Sequence, residues 1–550
     1  MNTQKHNPVL RLLPSLTDLA FLMPIVFLYA KMEGAKTMLG DGDTGWHIRA
    51  GEWMLANLRV PETDLFSYTM AGKPWYAWEW LWDAAFAWLH QQGGMTAVVL
   101  ASVLVIAATF AMLFRLVARR CGNVLLAIGI TMLAAAGASL HWLARPHLFT
   151  LLFVVIFLSL LERARQGHVN ALAWLLPLTV LWTNLHGGFF IGVMLTGCYA
   201  VGELAAAAVT PDPSDRRAAL ARSAPYALAA AGSLIVSLLN PYTWHLHAHI
   251  VSYLSESYHF ENINEFFSIS FHHPAALYFE IMIVLAIVAG WRALMRRDFT
   301  SVFLLAGWMH LALLGARNIP IFMIVAAPVV AAALAELLGD LAQAPVAAWV
   351  RRAADSFREM AAEVGEMERV PRLHLVSAAA LLLVTLISYS PAAPRRFRAE
   401  YDTKAYPSKA LSLLATPGFA KAVFTNDEWG DYLIYRLHPN TKVFIDGRSD
   451  FYGPEFGRKY LDVMSVKHDW QQSLDRYGVD AVLLPVDSSL AGTLKESRRW
   501  RVAYDDGVAI VFRAAARQIS TSMASNGTGT ETGPTAGSES TTGRQTEKTI

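Results

Sequence analysis

The chain has 550 residues, of which 54% are hydrophobic and 16% are charged, and its formal net charge is +2. Soluble globular proteins contain about 45–50% apolar and about 25% charged residues. The apolar excess lies in long runs, which excludes an ordinary soluble domain and predicts a polytopic α-helical membrane protein. Basic residues occur in short clusters between those runs, and this pattern gives no indication of nucleic-acid binding.

The sequence contains only two cysteines, Cys121 and Cys198. This number excludes a disulfide framework and metal sites built from four cysteines. The apolar run near residues 16–30 has no small-residue cleavage site after it. We therefore expect an uncleaved first membrane span rather than a signal peptide.

Windows of about 17–25 apolar residues predict about eleven transmembrane helices. They lie near residues 15–33, 94–117, 123–141, 147–161, 171–186, 188–209, 224–240, 275–293, 299–316, 319–341 and 373–390. The predicted transmembrane domain therefore covers residues 1–390, with a long first external loop at 34–93.

Basic clusters fall in alternate loops, as the positive-inside rule requires. They are Arg115/Arg119/Arg120, Arg163/Arg165, Arg216/Arg217/Arg222, Arg292/Arg296/Arg297 and Arg351/Arg352/Arg358. This distribution predicts a cytoplasmic N-terminus and an external C-terminal region. The loops of opposite parity contain "HWLARPH", "TNLHGGF", "NPYTWHLHAH" and "GARNIP". Polar residues at membrane depth usually line a cavity or substrate path, so we expect the external face to carry the function.

Two carboxylates, Asp41 and Asp43, follow the first predicted span directly. Acids this close repel each other unless a cation, a positive side chain or a proton is shared, so the pair suits a general base or a metal site. The alternative is that Asp43 or Thr44 only caps the helix that "DTGWHIRAGEWML" predicts. A second helix is predicted for "AWEWLWDAAFAWLH", and we expect both helices to lie flat on the outer membrane surface.

The "HLHAH" segment places histidines at positions 245, 247 and 249. A zinc site of the H-E-x-x-H type would need a glutamate between two histidines, and none is present. A polar interfacial loop is therefore favoured over a zinc site.

Residues 391–515 predict a small external α/β domain with a partly parallel sheet, because short β-rich and helical runs alternate there. Ligands in such sheets bind at the carboxyl ends of strands, which makes Asp427, Asp446 and Arg448 binding candidates. The alternative for these residues is a salt bridge in a turn. No nucleotide-binding glycine motif occurs, and the Ser/Thr/Gly-rich residues 516–550 are predicted to be disordered.

Several motifs along the chain resemble those of bacterial multi-pass proteins grouped with the C-type membrane glycosyltransferases. They are "DGDTGWHIRAGEWMLANLRVPETDLFSYTMAGKPWYAWEWL", "ARPHLFT", "WTNLHGGFFIG", "LLNPY", "RNIPIF" and "VFIDGRSDFYG". The superfamily includes protein O-mannosyltransferases, aminoarabinose transferases and oligosaccharyltransferases. The resemblance implies a bacterial inner-membrane enzyme that moves a sugar from a polyprenyl-phosphate donor to an external glycan, lipid or protein.

Such a transfer needs a carboxylate to accept the acceptor's proton and positive charge to stabilise the departing phosphate. The resemblance assigns the base to the first-loop acid, and we favour Asp41, with Asp43 as helper or cap. Arg145 and Arg317 are the phosphate-binding candidates. Further candidates for substrate binding are Glu79, His147, Asn184, His186 and Asn240. Some members of the class use a divalent cation, Mg or Mn, for which Asp41 and Asp43 would be the ligands, and others need no metal.

Two other functions are compatible with a polytopic protein of this kind. A transporter or flippase for lipid-linked intermediates should show repeated halves and polar residues in the middle of several spans, and neither is found in the sequence. A non-catalytic scaffold for glycan assembly is the third reading. Asparagine-linked transfer is not expected, because the C-terminal region lacks a W-W-D-Y-G motif. Gly45-Trp46 stands where similar proteins often have an aromatic pair after the acids, so the resemblance does not define the shape of the acceptor pocket.

Overall fold

The structure is a computed structural model that describes residues 11–515. Residues 11–514 belong to one compact unit. The disorder predicted for 516–550 lies outside the described residues, and the domain boundary at 390 stays a prediction.

The first part of the chain is almost entirely helical. Its helices are α1 (Leu16–Val26), α2 (Ala35–Met38), α3 (Asp43–Asn57), α4 (Trp80–Cys121), α5 (Val124–Ala138), α6 (His147–Arg165), α7 (Leu175–Leu185), α8 (Phe190–Val209) and α9 (Pro213–Val236). A π-helical turn, Phe27–Lys31, extends α1. In α4, Gly93 and Gly94 leave the helical conformation, so a kink separates residues 80–92 from the membrane-spanning part that follows.

The middle of the chain continues the bundle. Its helices are α10 (Trp244–Ser255), α11 (Ser257–Asn262), α12 (Ala276–Met295), α13 (Phe299–Leu314), α14 (Ile319–Gln343), α15 (Ala348–Glu368) and α16 (Leu375–Ser388). Helix α14 lies at the centre, since every residue from Ile319 to Ala331 is buried. It packs against α4, α5, α12 and α13.

Seven helices of the described residues are long and apolar enough to cross a membrane. These are Trp80–Cys121, Val124–His141, His147–Arg165, Gly187–Val209, Pro213–Val236, Ala276–Met295 and Ala316–Gln343. Shorter apolar helices occupy Val169–Leu185, Phe299–Leu314 and Leu375–Ser388, where the sequence predicts spans. Helices of 10–17 residues are shorter than a bilayer core of about 30 Å at 1.5 Å per residue, so the predicted count of eleven is not confirmed. The chain is a multi-pass membrane protein.

The C-terminal region contains α17 (Leu411–Leu414), β1 (Val423–Phe424), α18 (Asp427–Leu437), α19 (Ser449–Met464), α20 (Trp470–Arg476), β2 (Ala481–Pro485), α21 (Ser489–Glu496), β3 (Trp500–Asp505) and β4 (Ala509–Ala514). The strand order is β1-β2-β4-β3. Strand β1 pairs with β2 in parallel, and the other pairs are antiparallel. The predicted small, partly parallel sheet is confirmed, and β3 and β4 form an antiparallel pair within it.

The segment at residues 34–93, which the sequence predicts to be the first external loop, joins this sheet region. Ser67 forms a parallel bridge with Val443, which also bridges Val423 of β1. The Tyr68 N–H donates to the carbonyl oxygen of Val443, and the Val443 N–H donates to that of Phe66. The loop that carries the acidic pair is therefore fixed against the C-terminal region.

Candidate active site

Asp41 and Asp43 stand at the junction between α2 and α3. Gly42 is the N-cap of α3 and no side chain caps the helix, so Asp43 is its first residue. The Asp43 N–H donates to Oδ1 of Asp41, at 3.2 Å. Oδ1 of Asp43 accepts the indole N–H of Trp46 at 3.3 Å, and the Asp43 side chain does not cap the helix, which does not fit the capping alternative.

A single arginine holds both carboxylates. Nη1 of Arg145 lies 2.8 Å from Oδ2 of Asp41, and its Nη2 lies 2.5 Å from Oδ2 of Asp43. The three side chains keep 16–27% of their surface accessible, although protein surrounds them. The three side chains are therefore partly accessible to solvent, and an arginine fork of this kind can bind two carboxylates at once.

Burial has opposite effects on the two kinds of group. It raises the pKa of Asp41 to about 6, because the attraction of Arg145 offsets only part of the desolvation and Asp43 repels the charge. Burial alone would lower the pKa of Arg145, but Asp41 and Asp43 outweigh it and raise that pKa. Arg145 is therefore always charged, whereas Asp41 can exchange a proton near neutral pH.

A second ion pair borders the same site. The carboxylate of Glu265 lies 3.3 Å from Nη1 of Arg317 and 3.7 Å from Nε2 of His141. The Arg317 guanidinium also lies over the ring of Phe266, 4.5 Å from its centroid. Burial opposes ionisation of Glu265, but Arg317 and Arg145 prevail and lower its pKa to about 2. Because Arg145 acts on Glu265, the two ion pairs belong to one electrostatic cluster.

His186 and His147 differ in the hydrogen bonds that they can still make to a substrate. Nδ1 of His186 accepts the Gly188 N–H at 3.0 Å, so the neutral ring carries its proton on Nε2. Nε2 of His147 donates to the carbonyl oxygen of His141 at 2.8 Å. His186 can therefore donate one neutral hydrogen bond, whereas that nitrogen of His147 is already used.

The two asparagines have structural partners. Oδ1 of Asn184 accepts the Trp80 indole N–H at 2.8 Å, and its amide donates to the carbonyl oxygens of Val180 and Leu239. The amide of Asn240 donates within its own turn, to Ser237 and Thr243. Both asparagines line an open groove of about 660 Å³ together with apolar residues of α4 and α7. The structure does not give them a contact with the acidic pair.

Glu79 is near a third polar group, formed by His249 and Asp450. Nε2 of His249 lies 3.1 Å from Oδ2 of Asp450, and Trp78 stacks on the imidazole with centroids 4.1 Å apart. Burial and the charge of Asp450 raise the pKa of Glu79 to about 7. Glu79 is thus a second carboxyl that can titrate near neutral pH.

The C-terminal candidates Asp446 and Arg448 are buried together. Nη2 of Arg448 lies 2.7 Å from both Asp446 and Asp64, and Nε donates to Asp446 at 2.7 Å. The rings of Trp75 and Phe451 contact the guanidinium, with centroids 4.5 and 4.9 Å away. Arg448 is only 3% exposed, so it ties the first external loop to the C-terminal region and presents no open face to a ligand.

Asp431, on α18, is a site residue that sequence reasoning missed. Its Oδ1 accepts the Gly447 N–H at 2.9 Å. A Cβ on Gly447 would lie 2.3 Å from Oδ1 of Asp43 and 2.7 Å from Oδ2 of Asp431, so only glycine lets the two acids approach here. Burial and then the charge of Asp43 raise the pKa of Asp431 well above its usual range. Asp427 begins the same helix, and its Oδ1 accepts a hydrogen bond from the Tyr460 hydroxyl at 3.2 Å.

The side chains of the described residues that could act as metal ligands do not form a site that favours a metal ion. Within residues 11–515 no group of three or more His, Cys, Asp or Glu side chains could hold one. Both first-loop acids already share the Arg145 guanidinium. The histidines of "HLHAH" also diverge: His247 pairs with Ser237, His249 with Asp450, and His245 stacks on Trp244. Metal binding by Asp41 and Asp43 stays a prediction.

Comparison with known proteins identifies the fold. No family model matches the sequence. No curated protein matches it either. The crystal structure of the Archaeoglobus fulgidus oligosaccharyltransferase in the apo form matches with a TM-score of 0.52 and 11% identity, covering 86% of this chain and 69% of that one. The same enzyme tethered to an acceptor peptide with an NVT sequon matches with a TM-score of 0.50 and 12% identity, over the same shares. The chain therefore has an oligosaccharyltransferase-like fold, in agreement with the fold that its resemblance implies.

Proposed function

We propose that this protein is a membrane glycosyltransferase that moves a sugar from a polyprenyl-phosphate donor to an acceptor outside the cytoplasm. The observation that carries the proposal is the partly accessible acidic pair held by Arg145, on a fold shared with an oligosaccharyltransferase. The positive-inside pattern of the sequence supports an external position for this site, and the resemblance supports a bacterial inner membrane as its location. The acceptor is a glycan, a lipid or a protein.

Asp41 is the proposed general base. Its pKa, raised to about 6, lies close to the pH at which a base is both ionised and able to take a proton. In the reaction, an acceptor hydroxyl attacks C1 of the sugar and its proton passes to Asp41. The bond between C1 and the phosphate oxygen breaks, and the polyprenyl phosphate leaves with that electron pair.

Positive charge near the site would stabilise the leaving phosphate. Arg317 keeps 30% of its side chain accessible and has one carboxylate partner, whereas Arg145 has two. We assign the phosphate to Arg317, assisted by the Nε2–H of His186, and the positioning of the acids to Arg145. Glu79 and His147 are proposed to border the sugar, and Asn184 and Asn240 to border the lipid-facing groove that they line.

The test is transfer from a panel of radiolabelled polyprenyl-phosphate sugars by the purified full-length chain. We expect turnover with at least one donor and a loss of about 10²–10⁴-fold in Asp41→Asn. The matched control is Asp475→Asn, which removes an exposed carboxylate paired with Arg499 and should not change the rate. Equal rates for wild type and Asp41→Asn would refute Asp41 as the base. Absence of turnover with every donor would overturn the proposal in favour of the transport or scaffold readings.

A further inference from the structure

A second polar cavity lies at the ends of the bundle helices that point away from the candidate site. It measures about 310 Å³ and is lined by residues of α4, α6, α12 and α14. Helix α6 begins at His147, two residues after Arg145, and ends at Arg165 in this cavity. The 18 residue steps from His147 to Arg165 span about 27 Å along the helix axis. The two sites therefore lie at opposite faces of the membrane-spanning bundle.

Arginine side chains dominate this cavity. Its lining includes Arg119, Arg120, Arg165, Arg292 and Arg296. The carboxylates that line it are Glu162, Asp298 and Glu336, and the exposed Asp340 adds a fourth at the rim. The five arginines outnumber the four carboxylates, so the cavity has a net positive charge.

Most of these arginines have an acidic partner. Arg120 lies 2.6 Å from Glu162, and Arg165 lies 2.7 Å from Asp298. Arg296 pairs with Glu336. The paired groups fix the geometry of the cavity, since each charged hydrogen bond restricts two side chains.

Two of the lining arginines keep hydrogen-bond donors that no acceptor of the described residues uses. Arg119 is exposed and makes no hydrogen bond or ion pair within residues 11–515, and the charges that act on it are the positive ones of Arg115 and Arg163. Nη2 of Arg292 already donates to Asp340 at 2.7 Å, but its Nε is buried without a hydrogen-bond acceptor in the same part of the chain and lies 3.6 Å from Glu336. An anion with several oxygen atoms would satisfy both groups.

The surroundings favour a lipid as the source of that anion. On α12, Trp291 is 64% exposed and Met295 is 67% exposed, one turn apart beside Arg292. Tryptophan is enriched where a membrane meets water, and an exposed apolar helix face there contacts acyl chains. Basic pockets between transmembrane helices on the side with excess Lys and Arg bind anionic head groups.

We propose that this arginine cavity binds the phosphate of an anionic phospholipid, in the leaflet opposite the candidate active site. The phosphate oxygens lie between Arg119 and Arg292, and the acyl chains run along α12. The inference does not depend on the proposed glycosyl transfer, because it rests on a different part of the fold.

Native mass spectrometry of the full-length chain in detergent tests the proposal, with phosphatidylglycerol and phosphatidylcholine of the same acyl chains as probes. We expect phosphatidylglycerol to bind at least about fivefold more tightly, and Arg119→Gln to weaken it about fivefold, since one arginine near an anionic lipid contributes that much. Arg292→Gln should have an effect of the same size. The control Arg217→Gln removes an exposed arginine of α9 at the same end of the bundle and should leave the affinity unchanged.

Each other outcome overturns the inference. Equal binding of the two lipids would show that no anionic head group is recognised. Equal affinity for phosphatidylglycerol in Arg119→Gln, Arg292→Gln and wild type would place the lipid elsewhere. Full displacement of phosphatidylglycerol by an equal concentration of sn-glycerol 3-phosphate would identify a soluble phosphate as the ligand instead of a lipid. The Arg119 side chain is exposed and unpaired in the described residues, so its replacement should not impair folding.

Discussion

Nη1 of Arg145 lies 2.8 Å from Oδ2 of Asp41, although 104 residues separate them in the sequence. The contact joins the first external loop to the turn between α5 and α6. It gives the acidic pair a permanent positive partner, so both acids can stay close without a metal ion between them.

Replacement of Arg145 by lysine tests whether this fork positions the acids. Lysine keeps the charge but presents one compact ammonium group, which cannot hold Asp41 and Asp43 with two separate nitrogens. We expect Arg145→Lys to lower kcat for sugar transfer by about 10²-fold, the effect of a misplacement of about 1 Å. The control Arg222→Lys changes an exposed pair with Glu203 at the other end of the bundle. Equal rates for Arg145→Lys and wild type would show that charge alone suffices.

The pH dependence of transfer tests the assignment of the base. The carboxyl of Asp41 has a pKa of about 6, so it is protonated and inactive as a base below that pH. The rate should therefore rise with pH through about 6. The negative charge of Asp43 contributes to the raised pKa, so Asp43→Asn should move the rise to lower pH while retaining activity.

The profile is best measured in a Glu79→Gln background, because the pKa of Glu79 is about 7 and its titration could overlap. A profile that keeps its rise near pH 6 in Asp43→Asn would contradict the coupling. Complete loss of transfer in Asp43→Asn, with activity retained in Asp41→Asn, would make Asp43 the base.

From the sequence one could predict which site residues share one side of the membrane, but only some of the residues that form the site. Asp41, Arg145 and Arg317 follow apolar runs of known parity, so topology alone places them on one side. Glu265 lies in an irregular segment between α11 and α12, where no periodicity indicates a position. Asp431 comes from the C-terminal region, and its approach to Asp43 depends on how that region docks, which a single sequence does not encode in any local pattern.

Arg448 is a residue that the sequence identified as a candidate but whose burial it could not predict. Its place after a β-rich run makes it a ligand-binding candidate by the topology rules, but in the structure that run forms only isolated bridges at Val443. Its burial depends on Asp64, which lies 384 residues earlier in the chain. The sequence offers no means of pairing residues so far apart.

Gly447 should be intolerant of a side chain. An added Cβ would lie 2.3 Å from Oδ1 of Asp43 and 2.7 Å from Oδ2 of Asp431, so one of the acids must move. We expect Gly447→Ala to reduce transfer by at least about tenfold, with a stability loss of about 1–3 kcal/mol from overpacking. Gly492→Ala is the matched control, since its Cβ would meet no atom within 4 Å. Transfer at the wild-type rate by Gly447→Ala would show that the approach of the two acids is dispensable.

The Arg448 cluster should contribute to stability more than to transfer. Arg448→Met removes the cation and leaves Asp64 and Asp446 buried without it. Breaking a buried pair in this way costs about 3–5 kcal/mol, because the remaining charges stay desolvated. We therefore expect a markedly lower midpoint in thermal unfolding of the full-length protein in detergent.

Arg499→Met provides the comparison, since it breaks an exposed ion pair with Asp475 in the same region. Exposed pairs contribute about 0–1 kcal/mol, because water solvates both partners after the pair is lost. The triple variant Arg448→Met, Asp64→Asn and Asp446→Asn should recover part of the stability, since no charge is then buried alone. Equal midpoints for Arg448→Met and Arg499→Met would mean that Arg448 does not hold the first external loop on the C-terminal region.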